Sequence, residues 1–310
     1  KFLEAATADP KNSEYYVPKA DRRDSIIEDR NEYTSNNVFW VPMNARWDYL
    51  QDRAKQPEIG VLIDSAMDLI EAENPVLKGV LPKQYARAEI DKRLLGELLD
   101  QIGSIGFTSV DHGADDVLGR VYEYFLGQFA SSEGKRAGEY YTPRPLIKAI
   151  IKVIAPKIGQ TIYDGASGSA GFLCESFAYL SESKQLTTSD VATLQKNTFY
   201  GKEKKSLAYI IGTMNMILHG IDAPNLIHTN TLGENIADIQ EKNRYDIVLA
   251  NPPFGVEWKK VEKEVKDEHE RQGFGGRFGA GLPRINDGSF LFLQHMIAKM
   301  KPASEGGSRI

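Results

Sequence analysis

From residue 139 onward, short apolar runs each lead into a turn and then a longer helical pattern, and this order constrains the fold more than any other feature. The runs at 161–163, 199–201, 226–228 and 245–250 have the length of strands. Between them, helical rhythm begins with Leu146, Ile147, Ile150, Ile151 and Ile154, resumes near Gly171, and continues over 206–218 and 289–300. Thr142 and Pro143 read as a helix start, with Thr as the cap and Pro in the first turn. Alternating strands and helices predict an α/β fold: a doubly wound, mostly parallel, Rossmann-like sheet with right-handed crossovers.

Before about residue 135 no strand alternation appears. Leu118, Val121, Tyr122, Phe125, Leu126 and Phe129 make one apolar helical stripe, Leu94, Leu95, Leu98, Leu99 and Ile102 make another, and 59–72 suggests a third. The expected organisation is therefore an α-helical domain over 1–135 and an α/β domain over 136–310, with the polar stretch 131–138 as the connection. The chain starts at Lys1 and stops at Ile310 where another strand is expected to begin, so it reads as a fragment whose α/β domain is incomplete at its C-terminal side.

The chain has 310 residues, enough for two cores. A net charge of −5 argues against coating nucleic acid through bulk charge, so any DNA contact needs a local basic patch or a partner. One cysteine, Cys174, excludes a disulfide framework and fits a reducing cytoplasm. Cysteine and histidine are too few for a recognisable metal site, and no apolar run is long enough to span a membrane.

Three stretches carry chemistry. Asn251-Pro252-Pro253-Phe254 follows the apolar run 245–250, and its two prolines remove two donors and fix two φ angles. The result is a stiff corner just beyond a strand's carboxyl end, where open α/β sheets bind ligands. The glycine-rich stretch from Asp164 to Phe172 lies between the first strand and its helix, and its small residues let a ligand approach the backbone. It lacks both the P-loop Lys-Ser/Thr pair and the G-x-G-x-x-G spacing. Asp164 would repel a phosphate and suits a cationic ligand; the ammonium and sulfonium of S-adenosylmethionine meet that condition, although a tight structural turn needs no ligand. Glu203, after the second strand, stands where a carboxylate can accept from ribose hydroxyls, or else belongs to a surface cluster with Lys202, Lys204 and Lys205.

Gly138-Glu139-Tyr140-Tyr141-Thr142-Pro143-Arg144, then the glycine turn, then Asn251-Pro252-Pro253-Phe254, stand in one order. This order resembles the γ arrangement of amino-methyltransferases. More narrowly, with a helical domain ahead, it is similar to the modification (methyltransferase) subunit of type I restriction–modification systems, which methylates adenine N6 in DNA. The resemblance implies a cytoplasmic S-adenosylmethionine-dependent methyltransferase. Glu139, Tyr140, Tyr141, Thr142, Pro143 and Arg144 would wall the methionine end of the cofactor. Asp164 with Gly168, Ser169, Ala170 and Gly171 would hold its amino-acid part, Glu203 the ribose, and Asn230 the adenine. Asn251, Pro252, Pro253 and Phe254 would be catalytic. Gly165 stands where the family commonly has Pro, and Ala170 replaces a glycine. The implied partners are double-stranded DNA, a specificity subunit, a second methyltransferase subunit and a nuclease/translocase subunit, with no membrane.

The adenine amine is a poor nucleophile, and an acceptor pair from Asn251 and the Pro252 carbonyl would hold both its hydrogens while Phe254 stacks on the flipped base. Cytosine-N4 and protein-glutamine methylation remain rival reactions, and an assembly module is a rival of another class. Residues 257–271 read as a solvated loop or short helix, and 273–281 as a flexible loop open to DNA or to plain solvent. Residues 285–290 resemble a segment that helps form the substrate pocket. None of the five histidines reads as a catalytic base.

Overall fold

The computed structural model describes residues 25, 28–35, 38–104, 122, 124, 126–127, 141–182, 186–221, 224–233 and 244–310. The chain divides into two compact units, Lys1–Val117 and Leu118–Ile310, where the sequence suggests a boundary after residue 135. Tyr122 belongs to the second unit, and its hydroxyl donates to the Ile211 carbonyl at 2.9 Å. Most of the stripe that starts at Leu118, and the stretch 131–138, lie outside the described residues.

In the first unit the described elements are helical: Arg30–Ser35, Trp47–Gln51, Ile59–Glu73 and Lys92–Ser104. Ile59, Ile63 and Ala66 form one stripe that meets Leu50, Ala54, Leu95 and Leu99 in a common core. Polar groups close the surrounding loops. Asp64 accepts from the amides of Tyr85 and Ala86, both at 2.9 Å, while Glu71 accepts from the Leu81 amide at 2.8 Å and from Lys83 at 2.6 Å.

The stripe on Lys92–Ser104 is narrower than its leucines suggest, because Leu94 and Leu98 are 55% and 47% exposed. The cause is Gly96, whose missing side chain lets the helix lie on the neighbouring backbone. A Cβ there would stand 2.2 Å from the Ala54 carbonyl oxygen. The buried face is thus centred on Leu95, Gly96 and Leu99, and the two outer leucines are turned away from it.

In the second unit, β1 (Ile162–Asp164), β2 (Phe199–Glu203), β3 (Asn225–His228) and β4 (Ile247–Val248) form a parallel sheet in the order β3-β2-β1-β4. The described helices Arg144–Ile154, Gly171–Ser181, Thr188–Lys196, Ser206–Leu218, Glu262–Gln272 and Ser289–Ala298 accompany it. The expected α/β doubly wound architecture is therefore present. Alternate strand residues serve opposite faces. Ile162, Phe199, Leu226 and Ile247 pack with Ile147, Leu173 and Met216, whereas Tyr163 and Val248 pack with Met296. Arg309 bridges in parallel to Ile247, with the Val248 amide donating to its carbonyl at 2.9 Å, so the last residues begin a further strand position beside β4.

Several boundaries differ from expectation. The helix expected to begin at Pro143 with Thr142 as its cap begins at Arg144 with Pro143 in the cap position, the Pro143 carbonyl accepting the first helical bonds from Leu146 and Ile147 at 3.0 and 3.2 Å. Thr142 is thereby released from capping. The unanticipated helix Thr188–Lys196 carries a capping box between Thr187 and Asp190. The regular part of β4 is only Ile247–Val248, with Tyr245 held by an isolated bridge to Met300. No described helix is long and apolar enough to cross a membrane.

Gly96→Ala should lower thermal stability by about 1–3 kcal/mol even though Ala is the better helix former, because the new methyl strikes backbone. A thermal unfolding curve of the variant checks this, and an unchanged or higher melting temperature would contradict the close approach.

Candidate functional site

The chain order turns back between β1 and β4: from β1 it builds outward to β3, then returns to add β4 on the other side. Ligands in open α/β sheets bind outside the carboxyl ends of the strands at such a reversal. Asp164 ends β1, and Asn251 follows β4 by three residues, so both flank this point.

The glycine turn is fixed from several sides. The Gly168 amide donates to Glu203 Oε2 at 2.9 Å, and the Ser167 amide donates to the Lys202 carbonyl at 3.0 Å. Asn215 Nδ2 donates to the Ser169 carbonyl at 2.8 Å, and the Thr231 hydroxyl donates to the Gly165 carbonyl at 2.6 Å. Gly168 has φ of +52°, a conformation that glycine adopts without penalty. Ala170 also lies in the left-handed region, at φ +60°, so it carries a backbone cost of about 1–2 kcal/mol that glycine would avoid. Close approach needs glycine next door as well: a Cβ on Gly201 would stand 2.4 Å from Ser167 Oγ, and one on Gly212 would stand 2.7 Å from the Gly168 carbonyl.

Two adjoining cavities open here, with Ala166 lining both. A narrow one of about 10 Å³ is lined by Tyr141, Thr142, Asp164, Gly168, Ser169, Gly171 and Asn251, among others. Asn251 Nδ2 donates to the Thr142 hydroxyl at 3.2 Å, and no donor to its Oδ1 is found among the described residues. The larger cavity, about 220 Å³, has apolar walls from Leu232, Pro253, Val256, Trp258, Val261 and Phe292, with Glu203, Asn230 and four lysines supplying polar edges.

Asp164 is 1% exposed and has the Ala166 amide as a backbone donor, at 3.0 Å. Burial pushes its carboxyl up to about 7; the Ala166 amide opposes this and the nearby Glu203 carboxylate adds to it. A desolvated carboxyl of this kind is matched by a cation. Glu203 itself is held at both oxygens, by the Gly168 amide and by the Lys205 amide at 2.7 Å, and it ends β2.

Not every expected residue meets the cavities. Arg144 turns to Glu175, with Nε on Oε2 at 3.0 Å, and neither Pro143 nor Arg144 lines either space. Phe254 is 77% exposed and lines neither. Ala170 is fully buried beneath the turn. Glu139 and Tyr140 lie outside the described residues. Sequence reasoning missed Trp258, Val261 and Phe292, which no local pattern marks as cavity walls. It also missed Arg277 and Phe278: the loop read as flexible buries both, at 4% and 0% exposure. His295 is buried, with its Nε2 on the Tyr163 hydroxyl at 2.8 Å. No group of residues able to hold a metal occurs among the described residues.

At pH 8 the native state carries a buried Asp164 charge that water solvates in the unfolded chain, and this penalty fades as pH falls through 7 towards 4. Asp164→Asn should therefore raise the melting temperature of the ligand-free protein at pH 8, with the gain shrinking towards pH 4. A gain that grows on acidification would contradict the sign.

A family model described as N-6 DNA Methylase matches residues 113–307, and one described as HsdM N-terminal domain matches residues 3–102. The chain is 32% identical over 309 residues to the type I restriction enzyme MjaIX methylase subunit of Methanocaldococcus jannaschii, covering 99% of this chain and 52% of that protein. It is 31% identical over 287 residues to the HindI methylase subunit of Haemophilus influenzae, covering 84% and 59%. The chain thus spans little more than half the length of these relatives. Among solved structures, one described as a modification subunit assigned to a type I restriction enzyme of Vibrio vulnificus YJ016 superposes with a TM-score of 0.58 at 30% identity, covering 77% of this chain and 46% of that one. A type I methyltransferase subunit from Streptococcus thermophilus superposes at 0.69 and 23% identity, covering 97% and 64%, and supports the fold alone.

Proposed function

Because the chain belongs to the N-6 DNA methylase family, we propose that it transfers a methyl group from S-adenosylmethionine to the N6 amino group of an adenine flipped out of DNA. The observation that carries this reading is that the Asp164 carboxyl, the glycine turn, Thr142 and the Asn251 amide share one small cavity at the sheet's reversal point.

The donor set suits the cofactor. The dry Asp164 carboxyl is matched to a cationic amino-acid portion, and Gly168 and Ser169 line the same small cavity. The apolar walls of the larger cavity suit an adenine ring, with Glu203 and Asn230 at hand for ribose hydroxyls and ring edges. Tyr141 and Thr142 would wall the methionine end, together with Glu139 and Tyr140 as the family resemblance implies. When bound, the cofactor supplies a methyl group on a positively charged sulfur.

This chain's residues do the rest. Thr142 takes the Asn251 Nδ2, which commits Oδ1 to the role of acceptor. That oxygen and the Pro252 carbonyl accept the two hydrogens of the target amine, favour a pyramidal nitrogen and expose its lone pair. The amine becomes acidic once methylated, so its proton leaves to solvent and no shifted base is needed. Rigidity from Pro252 and Pro253 means that little reorganisation accompanies the reaction. Phe254, already at the surface, is available to stack on the incoming base.

The reading extends to the assembly. The relatives are named methylase subunits of type I restriction enzymes, and a structure at 27% identity and TM-score 0.62, covering 88% of this chain and 53% of that one, concerns complex assembly of a type I system. We therefore assign this chain to a cytoplasmic modification subunit that works with a specificity subunit, a second methyltransferase subunit and a nuclease/translocase subunit on double-stranded DNA.

Tritiated S-adenosylmethionine offered with adenine-bearing DNA, cytosine-bearing DNA and protein, in the presence of the specificity subunit, tests the reaction. Label in N6-methyladenine is expected; label confined to cytosine or glutamine would overturn it. Asn251→Ala should lower transfer about 100-fold or more with cofactor affinity kept. Calorimetric loss of cofactor binding in that variant would instead make Asn251 a scaffold residue. Phe254→Ala should weaken capture of the target base by about 1–3 kcal/mol, read as DNA affinity at saturating cofactor, again with cofactor affinity kept.

A further inference from the structure

The helix Glu262–Gln272 and the loop after it reach the back of the larger cavity through one buried ion pair. The side chains of Arg277 and Glu268 are 1% and 4% exposed. Arg277 Nε contacts both carboxylate oxygens at 3.1 Å, Nη2 donates to Oε2 at 2.8 Å, and the Arg277 amide donates to Oε1 at 2.6 Å. The guanidinium has donors left over. Nη1 reaches the Thr231 carbonyl at 2.8 Å, and Nη2 reaches the Leu232 carbonyl at 3.3 Å.

Thr231 and Leu232, with Asn230, wall the larger cavity, and the Thr231 hydroxyl holds the Gly165 carbonyl. Arg277 Nη1 also meets His295 Nδ1 at 3.2 Å. An arginine only donates, so Nδ1 accepts and the ring proton sits on Nε2, directed at the Tyr163 hydroxyl. Tyr163 lies close under Gly165: a Cβ there would stand 3.1 Å from its hydroxyl oxygen. Both arms of the network end beneath the same turn.

A buried ion pair costs desolvation that apolar residues of similar size avoid, so stability alone does not account for it. We propose that Glu268 and Arg277 are positioning residues that fix the Asn230–Thr231–Leu232 wall against the glycine turn and so set the affinity for the adenosine half of the cofactor. The inference rests on the S-adenosylmethionine reading above and adds residues that line neither cavity. A three-point grip of two carbonyls and one carboxylate explains why the group is arginine rather than lysine, whose single nitrogen cannot span them.

The test compares the parent chain with the double variant Glu268→Leu/Arg277→Met and with Arg277→Lys. Cofactor affinity is read by calorimetry and by tryptophan fluorescence, to which Trp258 in the cavity wall contributes, and folding is read by thermal melting. The double variant leaves no lone charge, so its melting temperature should stay within a few degrees of the parent while the cofactor dissociation constant rises at least about tenfold. Arg277→Lys should show a similar rise. Parent-like affinity in either folded variant overturns the proposal, as does an affinity loss that appears only with a matching loss of melting temperature. Should the double variant not fold, Thr231→Val carries the test, and unchanged cofactor affinity there overturns the proposal. A parent chain that binds no S-adenosylmethionine overturns the cofactor reading itself and this inference with it.

Discussion

A carboxyl group buried at the end of a strand, with no cation paired to it among the described residues, is the constraint around which this α/β unit is arranged. Asp164 is drawn out of water by the turn that follows it, and that turn is held by amides, carbonyls and side chains from β2, from the helix Ser206–Leu218 and from the 231–233 turn. Relaxing any of these would let water reach the carboxyl. Burial without a counter-charge raises the cost of ionising this carboxyl, and under the proposed function a positively charged occupant would relieve it.

The other side of the crevice is built on the opposite principle. Asn251 is exposed, Pro252 and Pro253 are half-buried, and the order of the corner comes from covalent stiffness rather than packing. The one described side-chain bond of Asn251, to Thr142, links this corner to the segment just before the helix Arg144–Ile154. Thr142 is available because Pro143 takes over the start of that helix. A buried carboxyl and an exposed amide corner thus line one cavity at the reversal of strand order. Methyl transfer from a cationic donor to an amine asks for that pairing.

Much of this was legible in the sequence because it is local. The apolar stretch over Ser206–Leu218 and the small residues after Asp164 announce themselves within a dozen positions, and the paired prolines can only end a strand. What was not legible depends on partners distant in the chain. Trp258 and Phe292 become cavity walls only because the chain returns over the sheet. Gly273 to Gly281 looks flexible by composition, yet Arg277 is gripped by Glu268 and Phe278 is fully buried. Leu94 and Leu98 look like core positions, but the glycine two residues from each, on the other side of the helix, sets the contact face away from them. Arg144 stands in a motif expected to wall the site, whereas the Glu175 carboxylate draws its guanidinium away.

The most direct test is the number of protons released when S-adenosylmethionine binds, obtained by calorimetry in buffers of differing ionisation enthalpy. With the Asp164 carboxyl near 7 in the empty site and ionised opposite a bound cation, about one proton should be released per cofactor near pH 6, falling towards none by pH 8.5. Binding near pH 6 without proton release, or with the same release in Asp164→Asn, would contradict the buried carboxyl as the group that receives the cofactor.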